Sequence, residues 1–437
     1  NVITVENAYG QLLAEGYIYS IPKSGYYVSD LSGIPVHQTE YTSETYEAEE
    51  QGTDSRTAKA GDKVLLTGGE NAFIADFTSN QTEHAAFPFS IWNKTMRAVM
   101  NDYQEEMMIN PPCGGVMELR KSISSYLKEF CAMYVRPEQI IIGAGTEYLY
   151  SILIQLLGRN VCYGVENPGY PKIAKIYRSM GVKYEYIDLD EEGTSAKKLE
   201  EKKVDIMHIS PSHHFPTGMV MPISKRYELL GWVTRKKERY IIEDDYDSEL
   251  RLAGKPIPSL QSIDVSGKVI YINTFAKTLC STVRISYMVL PEALAEKYYR
   301  ELSFYSCTVS NFEQYTLAAF MNAGAFEKHI NRLRNYYQHK RDLILSTFLR
   351  EPLGKYITIS EEDSGVHFLM HVNTSMSEQE FLLKTRAKGI RLATLSSFYN
   401  AEQKDSRYEN TYVMNYSFVD CDRLEYVAQT LYKIIHP

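Results

Sequence analysis

The chain has 437 residues, of which 44% are apolar and 23% are charged, as in an ordinary globular protein. Its 47 basic and 55 acidic side chains leave a net charge of −8, which excludes a generally basic surface for coating nucleic acid, so any contact with DNA has to be local. Because this length exceeds one ordinary core, we expect one large two-lobed unit together with a smaller one.

Residues 1–31 predict a helix followed by a β-hairpin. Two short tyrosine-rich runs, 17–20 and 25–28, flank a Pro-Lys-Ser-Gly turn, and Gly16 offers a stop to the helix before them. The apolar positions with helical spacing are Val5, Ala8, Tyr9, Leu12 and Leu13. A recognition helix followed by a wing forms the back half of a winged helix. We therefore expect a partial DNA-binding domain that is N-terminally truncated, since two helices would have to precede it.

The remainder of the chain predicts a linker and then a large α/β domain. Residues 32–71 are polar and acidic with almost no periodic apolar positions, which predicts a flexible linker. From residue 72 to 437, apolar runs alternate with helical stretches, so we expect a mainly parallel sheet with helices on both faces. A long helical region from Asn311 to about Leu349 then leads into a smaller C-terminal α+β lobe from about residue 350. The apolar runs are QIIIG, VCYGV, VDIMHI, RYIIE and KVIYI.

The cysteines and the hydropathy pattern bear on the compartment. The 6 cysteines are scattered without metal-ligand spacing, so neither a metal site nor a disulfide framework is predicted, and a reducing cytoplasm is expected. No stretch approaches the roughly 18 apolar residues of a membrane span, and the start lacks a basic-then-apolar signal. We expect a protein that is neither inserted in a membrane nor exported.

A lysine follows one of the predicted buried strands. Lys277 comes just after KVIYI, where a lysine has no structural reason to lie. A lone lysine would be interpreted as a surface residue. Here Thr274 and Arg284 supply a hydroxyl and a guanidinium that suit a phosphate, which favours a functional lysine.

Acidic and aromatic side chains follow another strand, RYIIE. We interpret Asp244 as a carboxylate that pairs with a cation such as a protonated pyridine nitrogen, and Tyr246 as a hydroxyl donor to the same ring. The alternative interpretation is a solvated or calcium-binding acidic cluster. Asp245 and Asp247 are expected at the surface or as helix caps.

Two further turns complete a possible cofactor site. Gly145 and Thr146 end one strand and open a helix, an arrangement in which backbone amides attract an anion. Tyr170 lies on a Pro-Gly turn after another strand, where its ring can stack on a flat cofactor, although packing is the alternative role for any one tyrosine in this chain. The adjacent His213 and His214 point oppositely on an extended segment and are not predicted to bind metal. A lysine, an acid, an aromatic face and an anion cradle are together what pyridoxal 5'-phosphate requires.

The ordered set of these segments resembles the fold-type-I pyridoxal phosphate proteins, and specifically the MocR branch of the GntR superfamily. The resemblance spans nearly the whole chain and rests on VENAYGQLLAEGYIYSIPKSGYYV, FPFSIWNKTMRAVM, PSHHFPTGMVMPISKRYELL and IIEDDYDSEL. It implies a winged helix fused to an aminotransferase-like domain, a homodimer, and operator DNA as a partner. It also implies Lys277 as the Schiff-base lysine, with Asp244 at the pyridine nitrogen. Tyr246 is then implied at the ring oxygen, Tyr170 as the stacking ring, and Thr274 with Arg284 at the phosphate.

The chain departs from the aminotransferase pattern at several positions. Ala276 stands where a serine usually precedes the lysine, and 281–282 is Ser-Thr in place of Pro-Gly, which predicts a looser phosphate cup. Phe215 replaces an asparagine beside the ring, a loss that MocR proteins share. The segment NTYVMNYSF lacks the arginine that clamps a substrate carboxylate, and either Arg407 or Lys172 could substitute.

Two functions follow from this resemblance. The first is a transcription regulator in which an amino compound reacts with the Lys277 aldimine and alters DNA binding, with little or no turnover. The second is an ordinary aminotransferase. The helix and hairpin of residues 1–31 favour the regulator, because a free aminotransferase has no use for them.

Overall fold

The computed structural model describes most of the chain from residue 73 onward and parts of its beginning. The described residues are 5, 8–9, 12–13, 18–21, 24–29, 73–79, 81–83, 86–252, 257–363, 365–400 and 408–436. The chain divides into two compact units, Asn1–Gly69 and Glu70–Pro437. The predicted linker and Arg407 lie outside the described residues.

The first unit contains the predicted helix and hairpin. All five apolar positions predicted for the helix have helical backbone. Strand β1, Ile18–Ile21, pairs antiparallel with β2, Gly25–Val28; β2 has the predicted bounds, and β1 ends one residue later than the predicted run 17–20. The rings of Tyr9 and Tyr26 lie 4.9 Å apart, so the helix contacts the hairpin through an aromatic pair.

The second unit is built on a seven-stranded sheet with the order β4-β10-β9-β8-β7-β5-β6. All neighbouring pairs are parallel except those of β10, which is antiparallel to both β4 and β9. The prediction of a mainly parallel sheet is confirmed, whereas β6 and β10 are strands that the sequence analysis did not single out. The strands are β4 Ile140–Gly143, β5 Tyr163–Asn167, β6 Tyr184–Asp188, β7 Ile206–Ile209, β8 Tyr240–Asp244, β9 Val269–Thr274 and β10 Ser286–Val289.

Helices cover both faces of this sheet because its strands are apolar on both sides. In β4, Ile140 and Ile142 pack into one hydrophobic cluster while Ile141 packs into another on the opposite face. The helices of the second unit are Phe89–Asp102, Gln104–Met107, Met117–Cys131, Thr146–Leu157, Pro171–Ser179, Ala196–Glu201, Ile223–Thr234, Leu260–Ile263, Glu292–Glu301, Asn311–Asn322, Ala325–Phe348, Glu378–Ala387 and Leu424–Ile435.

The predicted long helical region is two helices rather than one. The backbone leaves the helix after Asn322 and enters the next at Ala325, and Gly324 between them has a φ of +62°. A left-handed residue ends a helix, and glycine adopts that conformation without steric cost.

The C-terminal lobe is α+β, as predicted. Its four-stranded antiparallel sheet has the order β11-β12-β15-β14 and packs against the last three helices. A short parallel pair formed by β3 and β13 joins residues from the start of this unit to the lobe, which the sequence analysis did not anticipate. The strands are β3 Ala75–Asp76, β11 Ile357–Ser360, β12 His367–Val372, β13 Ile390–Arg391, β14 Ala393–Thr394 and β15 Thr411–Asn415.

Within the described ranges, no helix has the length and apolar character needed to cross a membrane.

Candidate functional site

A cavity of about 240 Å³ opens at the carboxyl ends of the parallel strands of the large sheet. In open α/β sheets, ligands bind at this edge. The structure brings every described residue that the sequence predicts for the site into the lining of this one cavity. These residues are Gly145, Thr146, Tyr170, Lys172, Asp244, Tyr246, Thr274, Lys277 and Arg284.

Lys277 lies on the cavity wall three positions beyond β9, which ends at Thr274. Burial lowers the pKa of the Lys277 amine, and the negative charge of Asp247 partly opposes this effect. A lowered pKa increases the neutral fraction of an amine, and only the neutral amine is nucleophilic. The position therefore suits a lysine that reacts with a carbonyl.

Asp244, the last residue of β8, is buried and presents one oxygen without a partner. Its Oδ2 accepts a hydrogen bond from the Tyr150 hydroxyl, and His208 Nε2 lies 3.5 Å from the same atom. Its Oδ1 has no hydrogen-bond partner among the described residues. A buried carboxylate oxygen that lacks a partner is costly unless a ligand supplies a donor. The N–H of a protonated pyridine ring is such a donor, and this environment is not that of a solvated acidic cluster.

Tyr246 presents a hydroxyl to the cavity and is supported by His213. The Tyr246 hydroxyl lies 3.3 Å from His213 Nδ1, which is 2.9 Å from Asp247 Oδ2. Because His213 Nδ1–H donates to Asp247, it is not an acceptor for Tyr246, and the Tyr246 hydroxyl can donate to a ligand. Burial, followed by the charge of Asp247, raises the pKa of Tyr246, so that the phenol remains a neutral donor.

Asp245 and Asp247, which were expected at the surface or as helix caps, are buried, and Asp247 precedes the short 3-10 helix Ser248–Leu250 without a capping hydrogen bond from its side chain. Asp245 accepts from the hydroxyl groups of Tyr271 and Ser248, and Asp247 pairs with His213. The surface interpretation was wrong because it considered only the sequence after β8, whereas the partners come from β9 and from the loop after β7.

Among the described residues, no group of three or more His, Cys, Asp or Glu side chains is placed to hold a metal ion.

The turn after β4 forms a cradle for an anion. Gly145 has a φ of +93° and immediately precedes the helix Thr146–Leu157, whose first backbone amides are free of helical partners. Glycine suits this position because of its positive φ, and a Cβ here would also force the Arg284 guanidinium to move. Arg284 itself adopts a φ of +53°, an uncommon conformation for a non-glycine residue and one that clusters at functional sites.

Thr274 lines the cavity and also accepts hydrogen bonds within the protein. Its Oγ1 accepts from the Ala276 amide at 3.2 Å and from the Ser286 hydroxyl at 2.8 Å. These contacts hold the turn that carries Lys277. Ala276 and Ser281, two of the departures from the aminotransferase pattern, also line the cavity.

Glu147 is a site residue that the sequence analysis missed. Its carboxylate forms ion pairs with both Lys172 and Arg284 at the cavity. Although burial opposes it, the Lys172 hydrogen bond and the charges of Arg284 and Lys172 lower the pKa of Glu147. An acidic residue in the first turn of a helix is common because it complements the helix dipole, so its sequence position did not distinguish it.

The opposite part of the cavity wall is aromatic. The Tyr170 and Phe215 rings lie 5.9 Å apart at an interplanar angle of 85°, and the Phe398 ring lies 5.1 Å from Phe215. Tyr170 is 44% exposed, so its ring is accessible from the cavity that it lines. This exposure fits a ring that stacks on a ligand.

Buried polar residues in the cavity wall were also missed. Tyr150, Glu166 and His208 line the cavity but lie within a helix and two strands whose sequence reads as ordinary core. Burial raises the pKa of Glu166 to about 8, while the Ser210 amide donates to it at 3.0 Å. Their partners are distant in sequence, so no local pattern could identify them.

The chain is similar in sequence to known transcription regulators and to aminotransferases. The sequence profile of "Aminotransferase class I and II" matches residues 74–407. The HTH-type transcriptional regulator YdeL of Bacillus subtilis is 37% identical over 91% of this chain and 81% of its own length. The probable rhizopine catabolism regulatory protein MocR of Rhizobium meliloti is 29% identical over 90% of this chain and 78% of its own.

Solved structures share the fold of the second unit. Kynurenine aminotransferase of Pyrococcus horikoshii, in complex with PMP, superimposes with a TM-score of 0.70 at 22% identity, covering 84% of this chain and 91% of that one.

Proposed function

Because this chain belongs to the MocR-type family of transcription regulators, whose aminotransferase class I and II domain it carries, we propose that it is a pyridoxal 5'-phosphate-dependent sensor. Its ligand would be a small amino compound that reacts at Lys277. The response would reach operator DNA through residues 1–31, acting as the recognition helix and wing of a winged helix. In this proposal, residues 32–71 are a linker and residues 72–437 are the sensing domain.

The observation that carries the proposal is the unpartnered Oδ1 of Asp244 in the same cavity as a lysine of lowered pKa. The donor set fits the cofactor: Lys277 would hold it covalently and Asp244 would bind its ring nitrogen. The remaining groups would be Tyr246 at the ring oxygen, Tyr170 at the ring face, and Gly145, Thr146, Thr274 and Arg284 at the phosphate. When bound, pyridoxal phosphate supplies an electrophilic carbon that takes up a primary amine.

Lys277, Asp244 and the aromatic residues of the cavity would have different roles when one ligand replaces another. Because a less basic amine is the better leaving group, the lowered pKa of Lys277 would favour its displacement by an incoming neutral amine, and the freed lysine would be a neutral base at the cavity wall. Asp244 would hold a proton on the ring nitrogen, and the aromatic wall of Tyr170 and Phe215 would keep water from one side of the cavity.

A working aminotransferase is the second candidate, because Lys277 and Asp244 are both present in the cavity. Turnover also needs a clamp that fixes the substrate carboxylate. Strand β15, Thr411–Asn415, has the sequence TYVMN and contains no arginine. Of the two substitutes, Lys172 is engaged by Glu147, and Arg407 lies outside the described residues. The regulator is therefore the better-supported function.

We propose that the protein acts as a homodimer, because the resemblance to the family implies paired aminotransferase-like domains. Light scattering of the cofactor-loaded chain at micromolar concentration should give twice the mass of 50.2 kDa. A monomer under these conditions would contradict the pairing.

The test of the sensor has two stages. The full chain should bind pyridoxal phosphate with a visible absorbance band, and borohydride should attach the cofactor irreversibly to Lys277, but not to the Lys277→Ala variant. Amino compounds that shift this band are then added while the protein, extended to include the two helices expected before residues 1–31, selects binding duplexes from a random DNA pool. A hit that changes DNA binding by the native chain but not by Lys277→Ala supports the proposal. Band shifts that never change DNA binding would contradict it.

A further inference from the structure

Three buried side chains from three different elements are linked to the Asp244 carboxylate. Tyr150 belongs to the helix Thr146–Leu157, Tyr177 to the helix Pro171–Ser179, and His208 to β7. Each is at most 4% exposed. Polar groups buried this deeply are costly unless hydrogen bonds satisfy them, so the direction of each bond can be deduced.

The first bond joins Tyr177 and His208. The Tyr177 hydroxyl lies 2.9 Å from His208 Nδ1. Burial raises the pKa of Tyr177, so the phenol keeps its proton and has to donate it. His208 Nδ1 is the acceptor within reach of that hydroxyl in the described part of the chain. A neutral imidazole that accepts at Nδ1 carries its own proton on Nε2.

The second contact joins His208 and Asp244. His208 Nε2 lies 3.5 Å from Asp244 Oδ2, and the Tyr150 hydroxyl donates to that same oxygen. The Tyr150 hydroxyl thus holds Oδ2, and His208 Nε2 faces the same oxygen without forming a hydrogen bond to it, whereas Oδ1 has no hydrogen-bond partner among the described residues. The carboxylate is held asymmetrically, with one oxygen directed at the protein and the other left for the cavity.

We propose that His208 is a positioning residue for Asp244. Tyr177 fixes its tautomer, so that its Nε2 proton faces Oδ2 and attracts that oxygen electrostatically. Together with the hydrogen bond from Tyr150, this leaves Oδ1 for the ring nitrogen of the cofactor. The inference rests on the proposed function, because the ring nitrogen belongs to pyridoxal phosphate. It goes beyond that function because it assigns a role to Tyr150, Tyr177 and His208. These residues would act on the orientation of Asp244, not by holding the cofactor themselves.

A purely structural role for His208 is the alternative. Its ring packs edge-on against Tyr150 with centroids 5.0 Å apart, and against Tyr177 with centroids 6.1 Å apart. A packing role requires a ring-sized apolar body but no particular tautomer and no N–H donor. The two roles therefore predict different outcomes when the donor is removed and when only the tautomer is released.

The tautomer of His208 can be determined in the cofactor-free protein. In the cofactor-free full chain with ¹⁵N-labelled histidine, the His208 resonances should show a proton on Nε2 and none on Nδ1. Tyr177→Phe removes the donor with little change in shape and should populate the other tautomer. A proton on Nδ1 in the native chain, or no change in Tyr177→Phe, would overturn the proposal.

The effect on the cofactor is measured with a matched pair of variants. His208→Leu keeps the volume but loses the donor, and we expect the dissociation constant for pyridoxal phosphate to rise about tenfold, as for one hydrogen bond to a charged group. His208→Gln restores an N–H and should remain within about threefold of the native chain. The pH titration of the bound cofactor's absorbance should shift in His208→Leu and not in His208→Gln.

Three other outcomes have definite meanings. Equal losses in both His208 variants with an unchanged titration would show a packing role and overturn the inference while the proposed function stands. A native chain that does not bind pyridoxal phosphate would defeat the proposed function itself. If His208→Leu does not fold, Tyr177→Phe takes its place. We expect this variant to bind pyridoxal phosphate about threefold more weakly and to show the same shift in the pH titration of the absorbance. A Tyr177→Phe titration that does not shift would overturn the inference.

Discussion

Glu166 Oε2 lies 3.5 Å from His214 Nε2, and both side chains are buried. The contact resembles an ion pair, but the surroundings make it neutral. Burial raises the pKa of Glu166 to about 8 and lowers the pKa of His214 to about 3. At neutral pH the carboxyl therefore keeps its proton and the imidazole takes none.

This relationship predicts a specific pH dependence of stability. Because folded Glu166 binds a proton between its ordinary pKa, about 4.3, and about 8, the folded state binds more protons than the unfolded state in that window. The free energy of unfolding should therefore fall as pH rises from about 5 to 8, by at most about 1.4 kcal/mol per pH unit for one proton. Glu166→Gln, which cannot titrate, should reduce this fall, as measured by thermal melting of the cofactor-free chain across that range.

His214 provides the control because its effect has the opposite sign. Its folded pKa lies below its ordinary value, so the stability that it contributes is lost as pH falls from about 6.5 toward 3. His214→Gln should soften the acid-side loss and leave the alkaline side unchanged. Glu243 and Glu249, whose pKa values burial raises to about 7 and about 8, will keep part of the alkaline decline in every variant. Identical pH profiles for Glu166→Gln and the native chain would refute the assignment.

The second prediction concerns Glu147, whose carboxylate engages both Arg284 and Lys172. A phosphate that binds Arg284 has to compete with this internal anion. Glu147→Gln should therefore tighten pyridoxal phosphate binding, by about threefold, since the side chains are partly exposed and such pairs are weak in solvent. Titration of the absorbance band gives the dissociation constant.

Two further variants separate competition from a general change of charge. Lys172→Gln leaves Arg284 as the remaining described partner of the Glu147 carboxylate. Glu147 should then hold Arg284 more strongly against the phosphate, so this variant should bind the cofactor more weakly. Arg284→Gln should weaken it by about tenfold, because it removes a charge-assisted contact to the phosphate. Weaker binding in Glu147→Gln would show that this carboxylate supports the cradle rather than competing with its ligand.

The fold was predictable because its signals are local. Each strand of the large sheet that was predicted is a short apolar run, and Lys277 is conspicuous because it lies only three positions beyond one of them. Strands β3 and β13 are two residues each and pair across more than 300 positions, so no local pattern could indicate them. Short strands of this kind form because the surrounding lobe buries them.

The candidate site was predictable only in part, for the same reason. Residues that follow a strand could be found, because the carboxyl ends of parallel strands converge. Tyr150 donates to Asp244 across 94 positions, and Tyr177 reaches His208 across 31, from helices and a strand that read as core. Supporting residues of this kind are defined by tertiary contacts rather than by spacing.

The third prediction concerns Arg226, a fully buried arginine that holds the loop after β7. Its guanidinium donates to three backbone oxygens and lies 3.9 Å from Glu243 Oε1. Arg226→Leu would remove all three of these hydrogen bonds and should lower the free energy of unfolding by about 3 kcal/mol or more. The acceptors are the carbonyl groups of Pro211, Met221 and Pro258.

An exposed arginine directly after the same helix, Ile223–Thr234, serves as the matched control. Arg235, whose side chain is 63% exposed, pairs with Glu200 at 3.6 Å. Arg235→Leu should cost less than about 1 kcal/mol, because the pair is solvated. Both changes can be followed by urea unfolding, and similar losses for the two would mean that the buried contacts of Arg226 contribute little.

The last prediction separates sensing from turnover: a primary amine should react at Lys277, whereas exchange with an oxo acid should be slow or absent. Uptake of the amine requires only Lys277, Asp244 and room beside Tyr170, all of which meet in one cavity. Transamination also requires the breaking C–H bond to stand perpendicular to the cofactor ring, and misplacement by about 1 Å can cost on the order of a hundredfold in rate. The expected clamp is missing from β15, where buried Asn415 lies opposite His367 and accepts from the Ser417 amide at 2.9 Å.

An amine that stays bound without turning over would also prolong the signal, which suits a regulator. Amino acids and simple amines should be screened for a shift of the cofactor's absorbance band, and each hit should then be incubated with an oxo acid in a coupled assay. We expect spectral shifts with rates far below those of ordinary enzymes, which run at roughly 1 per second or faster. Sustained turnover at ordinary enzyme rates would instead identify a working aminotransferase, because a clamp would then have to be present despite the sequence of β15.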